Sequence, residues 1–294
     1  MNSIPIIINP AAGKKTPVLA EINQVFHQAG IPWSVEVTLG EGDGIRHARR
    51  LAEEGAEIVA VYGGDGTVSE VATGLAGTNA ALAILPGGTG NVLTYELGTP
   101  RELVAACQLL ASEHTIRTID MGAIEERRFL LRAGVGLEAL AIEKSPRKLK
   151  DRFGLFAYGI GGLQALLNTK PMRYQLDLDG ESVEAEGVAC TVANSGHLGG
   201  FPGLTLSPLI NIEDGLLDVI VLRKADIKLI IQVVSEKVPR APKFKKLQHW
   251  QVKRMAIRAD PPQTVQVDGD NLGVTPVEMI SVPHCLRVVV PMQA

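Results

Sequence analysis

Cysteine is scarce: Cys107, Cys190 and Cys285 are the three in a chain of 294 residues, and they lie far apart. An odd, scattered set gives no disulfide framework and no zinc spacing, so a reducing, intracellular setting is expected. Long hydrophobic runs are also missing, with nothing near the roughly 18 apolar residues of a membrane-spanning helix. The opening MNSIPIIINP has no basic flank, and its apolar run is too short for a signal peptide, so no export signal is expected. Excess positive charge is absent, because the formal net charge is -3, which argues against a nucleic-acid partner. The six histidines show no close His-x-x-x-His or His-Cys pattern, and His197 reads as a loop histidine. No G-x-G-x-x-G follows a strand, which leaves a dinucleotide-binding dehydrogenase without support.

What is present is a large apolar fraction, 46%, enough for a substantial core. Up to about residue 112, short apolar runs alternate with helical patterns. Strands are expected at 4–8, 33–38, 57–62 and 80–85, and helices over 18–29, 44–54, from Thr67, around 89–96 and over 101–112. Continuous apolar strands separated by helices indicate a parallel sheet covered on both faces. Past residue 115 the pattern changes. RRFLLRAGVG reads as a strand, 153–167 as an amphipathic helix and 226–234 as a short helix, with alternating runs between. Asp179–Gly180 between two such runs is a hairpin signal. The fold class expected is α/β: a three-layer α/β domain over 1–116, then a mainly antiparallel β domain over 117–294.

In an open α/β sheet, ligands bind at the carboxyl ends of the strands. Three such ends carry loop chemistry: NPAAGKK after the first strand, GGDGT after the third and PGGTGN after the fourth. Glycines let backbone amides approach a ligand, and the helix N-terminus that follows favours phosphate. Thr67 and Thr89 add hydroxyls. Each loop taken singly is more often a structural turn, and Thr67-Val-Ser-Glu70 also fits a capping box, with Thr67 as cap and Glu70 reaching back. Two glycine loops on consecutive strands, each with a threonine before a helix, point to phosphate. GKKT at 13–16 is not a P-loop, because Ile8 stands where the leading glycine should be. EGDG at 41–44 reads as a connection with an N-cap.

GGDGTVSEV together with LPGGTGNVL resembles the diacylglycerol kinase and sphingosine kinase catalytic family, which includes bacterial lipid kinases. The resemblance runs through most of the chain: INP.AG at 8–13, INIEDGLLDVIVL at 210–222 and VQVDGD at 265–270 match further family motifs in order. It implies an N-terminal domain like those of NAD kinases and phosphofructokinases, a β-sandwich second domain and an active site in the cleft between them. It implies ATP as phosphate donor, with Asn9, Thr38, Gly63, Gly64, Asp65, Gly66, Thr67, Gly88 and Thr89 forming the nucleotide site and Glu70 orienting the glycine loop. Asp65 is expected to bind the catalytic Mg2+ or help activate the acceptor. Val92 stands where other members carry an acid.

Without the family, Asp268-Gly269-Asp270 reads as a turn between strands. The family places a general base at Asp270, where glutamate is frequent, and Asp268 is expected to support the turn. By the same resemblance, Asp214 with the backbone carbonyls of Asn211 and Leu216 holds a second, structural Mg2+; an ordinary Asp-Gly turn is the other reading. The helix at 153–167 either packs on the sandwich or lines a lipid cleft. Between Lys237 and Ala259 there are eight bases, no acids, and Phe244 and Trp250. This stretch is either a solvated loop or a patch for transient contact with an anionic membrane surface. The expectation is therefore a cytoplasmic, membrane-peripheral ATP-dependent kinase of a lipid hydroxyl. An NAD kinase shares GGDGT but carries a downstream Asn-Glu pair, and no such pair occurs here. A nucleotide-regulated protein without catalysis is the third reading. The chain does not report an oligomeric state, and a homodimer is left open.

Overall fold

In a computed structural model of the chain, residues 3–13, 17–88, 90–136, 170–197, 205–223 and 248–292 are described. The chain divides into two compact units, Met1–Asp120 with His284–Ala294, and Met121–Pro283. The stretch from His284 onward thus groups with the first unit, where the sequence reading puts all of 117–294 in the second.

The first unit begins β1 (Ile4–Ile8), α1 (Val18–Gln28), β2 (Trp33–Val37), α2 (Asp43–Glu53), β3 (Ile58–Gly63) and α3 (Asp65–Leu75). It continues through β4 (Ala81–Pro86), α4 (Val92–Leu97), α5 (Leu103–Ala111) and the start of β5 (His114–Ile124). β1 pairs in parallel with β2 and β3, and β3 with β4. Every residue of β1 and β4 is buried, as continuous apolar strands in a covered parallel sheet must be. Ile6, Phe26, Ala60, Leu85, Cys107 and Leu110 share one core. The other edge of β4 is taken by the end of the last strand, where Arg287 and Val288 pair in parallel with Ala81 and Leu82.

In the second unit, β6 (Arg127–Phe129), β7 (Arg132–Gly136), β8 (Met172–Leu178), β9 (Glu181–Gly187), β10 (Ala189–Ala193) and β11 (Leu217–Leu222) precede β12 (Gln248–Val252). β13 (Arg254–Asp260), β14 (Thr264–Val267), β15 (Asp270–Val274) and the beginning of β16 (Val277–Pro291) follow. One antiparallel sheet has the order β12-β11-β10-β7-β14-β15, and β13 pairs with both β8 and β16. Phe129, Tyr174, Leu176, Val192, Val219, Met255 and Val265 fill a common core. The expected α/β class with a second antiparallel β domain is what the chain forms. Asp179 and Gly180, both with positive φ, turn β8 into β9 as a two-residue hairpin.

RRFLLRAGVG is not one strand. It breaks between Phe129 and Arg132, because the amides of Leu130 and Leu131 turn to the Asp268 carboxylate instead of a ladder partner. The stretches 153–167 and 226–234 lie outside the described residues, as do Thr89 and the bases from Lys237 to Lys246. Among the described residues no helix is long and apolar enough to cross a membrane.

Candidate functional site

In the first unit, GGDGT does not wait for Thr67 to start its helix. α3 begins at Asp65 with Gly64 as its extended N-cap, so Thr67 lies inside the first turn. The capping box is not formed. The Thr67 hydroxyl instead accepts from Asn9 Nδ2 at 2.9 Å, which ties the loop after β1 to α3. Asn9 Oδ1 accepts from the Ala11 amide, so one side chain both folds its own loop and holds the next. Thr67 also packs on Gly63, where a Cβ would stand 2.6 Å from that of Thr67.

Glu70 reaches away from its own helix. Its two oxygens accept the amides of Gly42 and Gly44, each at 3.0 Å, at the N-terminus of α2. A carboxylate there satisfies amides that have no intrahelical partner and meets the positive end of the helix dipole. The loop that Glu70 orients is therefore EGDG at the start of α2, not GGDGT. EGDG caps its helix without a side chain of its own: Gly42, at φ 81°, is the N-cap and makes no side-chain cap bond. Asp43 folds back to accept the amides of Leu39 and Gly40 at 2.7 and 2.9 Å, just past Thr38. Thr38 is buried, and its amide donates to Ile8 O at 3.0 Å.

The Leu39 amide, then the Gly40 amide, hold the Asp43 carboxyl below the usual carboxylate range. A depressed folded-state pKa contributes stability above the unfolded value and loses it as pH falls through the folded value. The 39–43 loop should therefore loosen as pH falls below about 4. Asp43→Asn should flatten the acid side of a plot of Tm against pH; an unchanged acid slope would contradict this.

Asp65 joins the second and third glycine loops. Its Oδ1 accepts the Val92 amide at 2.7 Å, at the first residue of α4, and a Cβ on Gly90 would lie 2.4 Å from Oδ2. Val92 therefore acts through its amide, and its side chain is buried. Gly88 faces Gly64 so closely that a Cβ on Gly88 would stand 2.6 Å from Gly64 Cα. Asn91, at φ 43°, closes the loop by accepting from the Gly88 amide and donating to its carbonyl.

Tyr62 adds a support that sequence reasoning missed. A Cβ on Gly13 would lie 2.2 Å from the Tyr62 hydroxyl, and one on Gly87 2.8 Å from its ring. The glycines of the first and third loops thus make room for one buried phenol, whose pKa is raised by burial and then by Glu21. Only the aromatic ahead of GGDGT signals it in the sequence.

In the second unit, VQVDGD forms a hairpin. Val267 pairs with Asp270 across Asp268 and Gly269, both with positive φ. Asp268 is held by the β6–β7 connection: Oδ2 accepts from Leu130 at 2.8 Å, and Oδ1 from Leu131 at 2.9 Å and Arg132 at 3.0 Å. Its own amide donates to Arg132 O at 3.0 Å. Asp268 is thus the support of the turn. Asp270, two residues on, is exposed and paired with Arg127 Nη2. RRF at the head of a strand was the one sequence signal for Arg127.

Asn211–Leu216 is closed by its own hydrogen bonds. Asp214 Oδ1 accepts from the Leu216 amide at 3.0 Å and Oδ2 from Gln251 Nε2 at 3.2 Å, while Asn211 O takes the Asp214 amide at 3.4 Å. One carboxylate and two backbone carbonyls are the hard oxygen donors that magnesium takes, so the donor chemistry fits. The hydrogen bonds are those of an Asp-Gly turn, with Gly215 at φ 76°. Among the described residues no three His, Cys, Asp or Glu side chains gather as a metal cluster. Of the basic stretch, Lys253, Arg254 and Arg258 are described and exposed, and Arg254 is paired with Glu278.

Residues 3–124 match the family described as diacylglycerol kinase catalytic domain, and residues 132–290 the YegS C-terminal NAD kinase beta sandwich-like domain. A diacylglycerol kinase of Bacillus subtilis (strain 168) is 28% identical over 297 residues, covering 99% of this chain and 97% of its own. One of Staphylococcus saprophyticus is 27% identical over 292 residues, covering 97% and 94%. A crystal structure of a diacylglycerol kinase from Bacillus anthracis str. Sterne superposes with a TM-score of 0.81 at 24% identity, covering 99% of this chain and 97% of that one, and bears on the fold alone. Both halves match in order and together span nearly the whole chain, and the chain belongs to the lipid kinase family built from a diacylglycerol kinase catalytic domain and a YegS-type C-terminal domain.

Proposed function

We propose that this protein is an ATP-dependent lipid kinase that transfers the γ-phosphoryl group of ATP to a hydroxyl of a lipid such as diacylglycerol. The observation that carries the reading is the bond from Asp65 to the Val92 amide, which locks two glycine loops together at neighbouring strand ends. Two glycine loops packed together at neighbouring strand ends, one of them running into the N-terminus of α3, suit a triphosphate better than an ordinary turn.

In this reading Asn9, Thr38, Gly63, Gly64, Asp65, Gly66, Thr67, Gly88 and Thr89 form the nucleotide site. Glu70 contributes indirectly, through the loop before α2. Mg2+ carried with ATP supplies charge neutralisation on the phosphates. Asp270 takes the proton of the acceptor hydroxyl; the oxygen forms a bond to the γ-phosphorus while the bond to the β,γ-bridging oxygen breaks. ADP leaves with that electron pair, and the proton passes from Asp270 to water. Asp214 with the carbonyls of Asn211 and Leu216 would hold a second, structural Mg2+. The protein works in the cytoplasm and meets an anionic membrane surface transiently through its basic stretch.

Incubation with labelled ATP and a panel of diacylglycerol, sphingoid base, ceramide, monoacylglycerol and phosphatidylglycerol, with NAD as control, tests the reading by mass spectrometry. Phosphorylated lipid is expected; transfer to none of the lipids would end it. Gly88→Ala forces its Cβ against the Gly64 backbone. It should raise KM for ATP by about tenfold or more with KM for lipid unchanged, since a 1 Å displacement can cost about 10²-fold. An unchanged KM for ATP would remove the third glycine loop, PGGTGN, from the nucleotide site.

A further inference from the structure

The segment from Arg127 to Arg132 holds both aspartates of VDGD, and by different means. Its backbone amides at Leu130, Leu131 and Arg132 bind the Asp268 carboxylate. Its first side chain, Arg127, reaches Asp270 through Nη2 to Oδ2, across 143 sequence positions. The turn that carries Asp270 is therefore anchored to the same short segment that presents the guanidinium.

The two side chains are 37% and 66% exposed. An ion pair this exposed contributes little to stability, because water solvates both charges and holding two long side chains costs entropy. What it does is geometric. An exposed aspartate samples several rotamers, and a guanidinium held from a strand removes that freedom. Among the described residues the contact to Asp270 is at Oδ2, which leaves Oδ1 to face an acceptor. Aspartate is also one methylene shorter than glutamate, so its reach depends more on being held in one orientation.

We propose that Arg127 is the positioning residue of Asp270, fixing one carboxylate oxygen so that the other meets the acceptor hydroxyl. The inference rests on the reading of Asp270 as proton acceptor. Arg127 does not touch the reacting atoms; it acts through the carboxylate.

Steady-state kinetics on the full chain with ATP and the lipid found active above test it, using Arg127→Ala, Arg127→Lys, Asp270→Asn and the Arg127→Ala/Asp270→Asn double variant. Arg127→Ala should lower kcat by about tenfold or more, as misplacement of a reacting group does. KM for both substrates and Tm should stay close to the parent values. Arg127→Lys should recover most of kcat. In the Asp270→Asn background, Arg127→Ala should cost nothing further, because residues that act as a unit are non-additive.

A kcat loss from Arg127→Ala that is equally large in the Asp270→Asn background would overturn the inference alone. So would a change in KM only, which makes Arg127 a substrate-binding residue, or a fall in Tm that accounts for the loss. Full turnover in Asp270→Asn itself overturns the underlying reading, and it is seen without touching Arg127.

Discussion

Asp270→Asn is expected to lower kcat by roughly 10²–10⁴-fold, the usual contribution of a positioned general base. Asparagine keeps the shape and loses the carboxylate that the proposed mechanism uses as proton acceptor. Tm should hardly move, because the side chain is 66% exposed and its partner among the described residues is an exposed arginine. Circular dichroism and KM for ATP should match the parent. Full turnover with an unchanged pH profile would remove Asp270 from the chemistry.

Asp268→Ala should behave in the opposite way. It leaves the amides of Leu130, Leu131 and Arg132 without their acceptor. Each hydrogen bond to a charged group contributes about 1.5–3 kcal/mol, and partial access to water reduces the sum, so a loss of about 2–4 kcal/mol is expected. For a chain of this size that lowers Tm by roughly 5–15 °C. Activity should fall with stability, because the turn that sets Asp270 loses its anchor. Asp268→Asn, which keeps one acceptor oxygen, should fall between. An unchanged Tm in Asp268→Ala would mean that water replaces the carboxylate at no cost. Measured together, the two aspartates separate chemistry from scaffold: one substitution moves kcat without Tm, the other moves both.

Alternation of apolar strands and helical patterns made the parallel sheet of the first unit legible, because fully buried strands leave continuous apolar runs. The hairpins at Asp179–Gly180 and Asp268–Gly269 were legible because few residues accept a positive φ. Tertiary partners of polar side chains were not. Nothing local shows that Glu70 serves the amides of Gly42 and Gly44, or that Asp65 serves Val92. A threonine followed three residues later by glutamate is a sound local argument for a capping box, yet α3 starts two residues earlier and both side chains bond elsewhere. RRFLLRAGVG has the composition of one strand, and a carboxylate more than a hundred residues away breaks it. The pairing of Arg127 was illegible for the same reason: its partner lies 143 positions away.

The return of the chain to the first unit has a consequence for its synthesis. β4 gains its second neighbour only when Arg287 and Val288 pair with it, and Gly77 gains a backbone acceptor only with Cys285. At about 5–20 residues per second, the ribosome needs on the order of 10–30 s to go from residue 120 to residue 284. During that interval the first unit carries an unpaired apolar edge strand, the kind of surface on which strands from other chains can add. The nascent chain is therefore most exposed to aggregation when its glycine loops are already made, and it leaves that state only as residues 284–291 emerge.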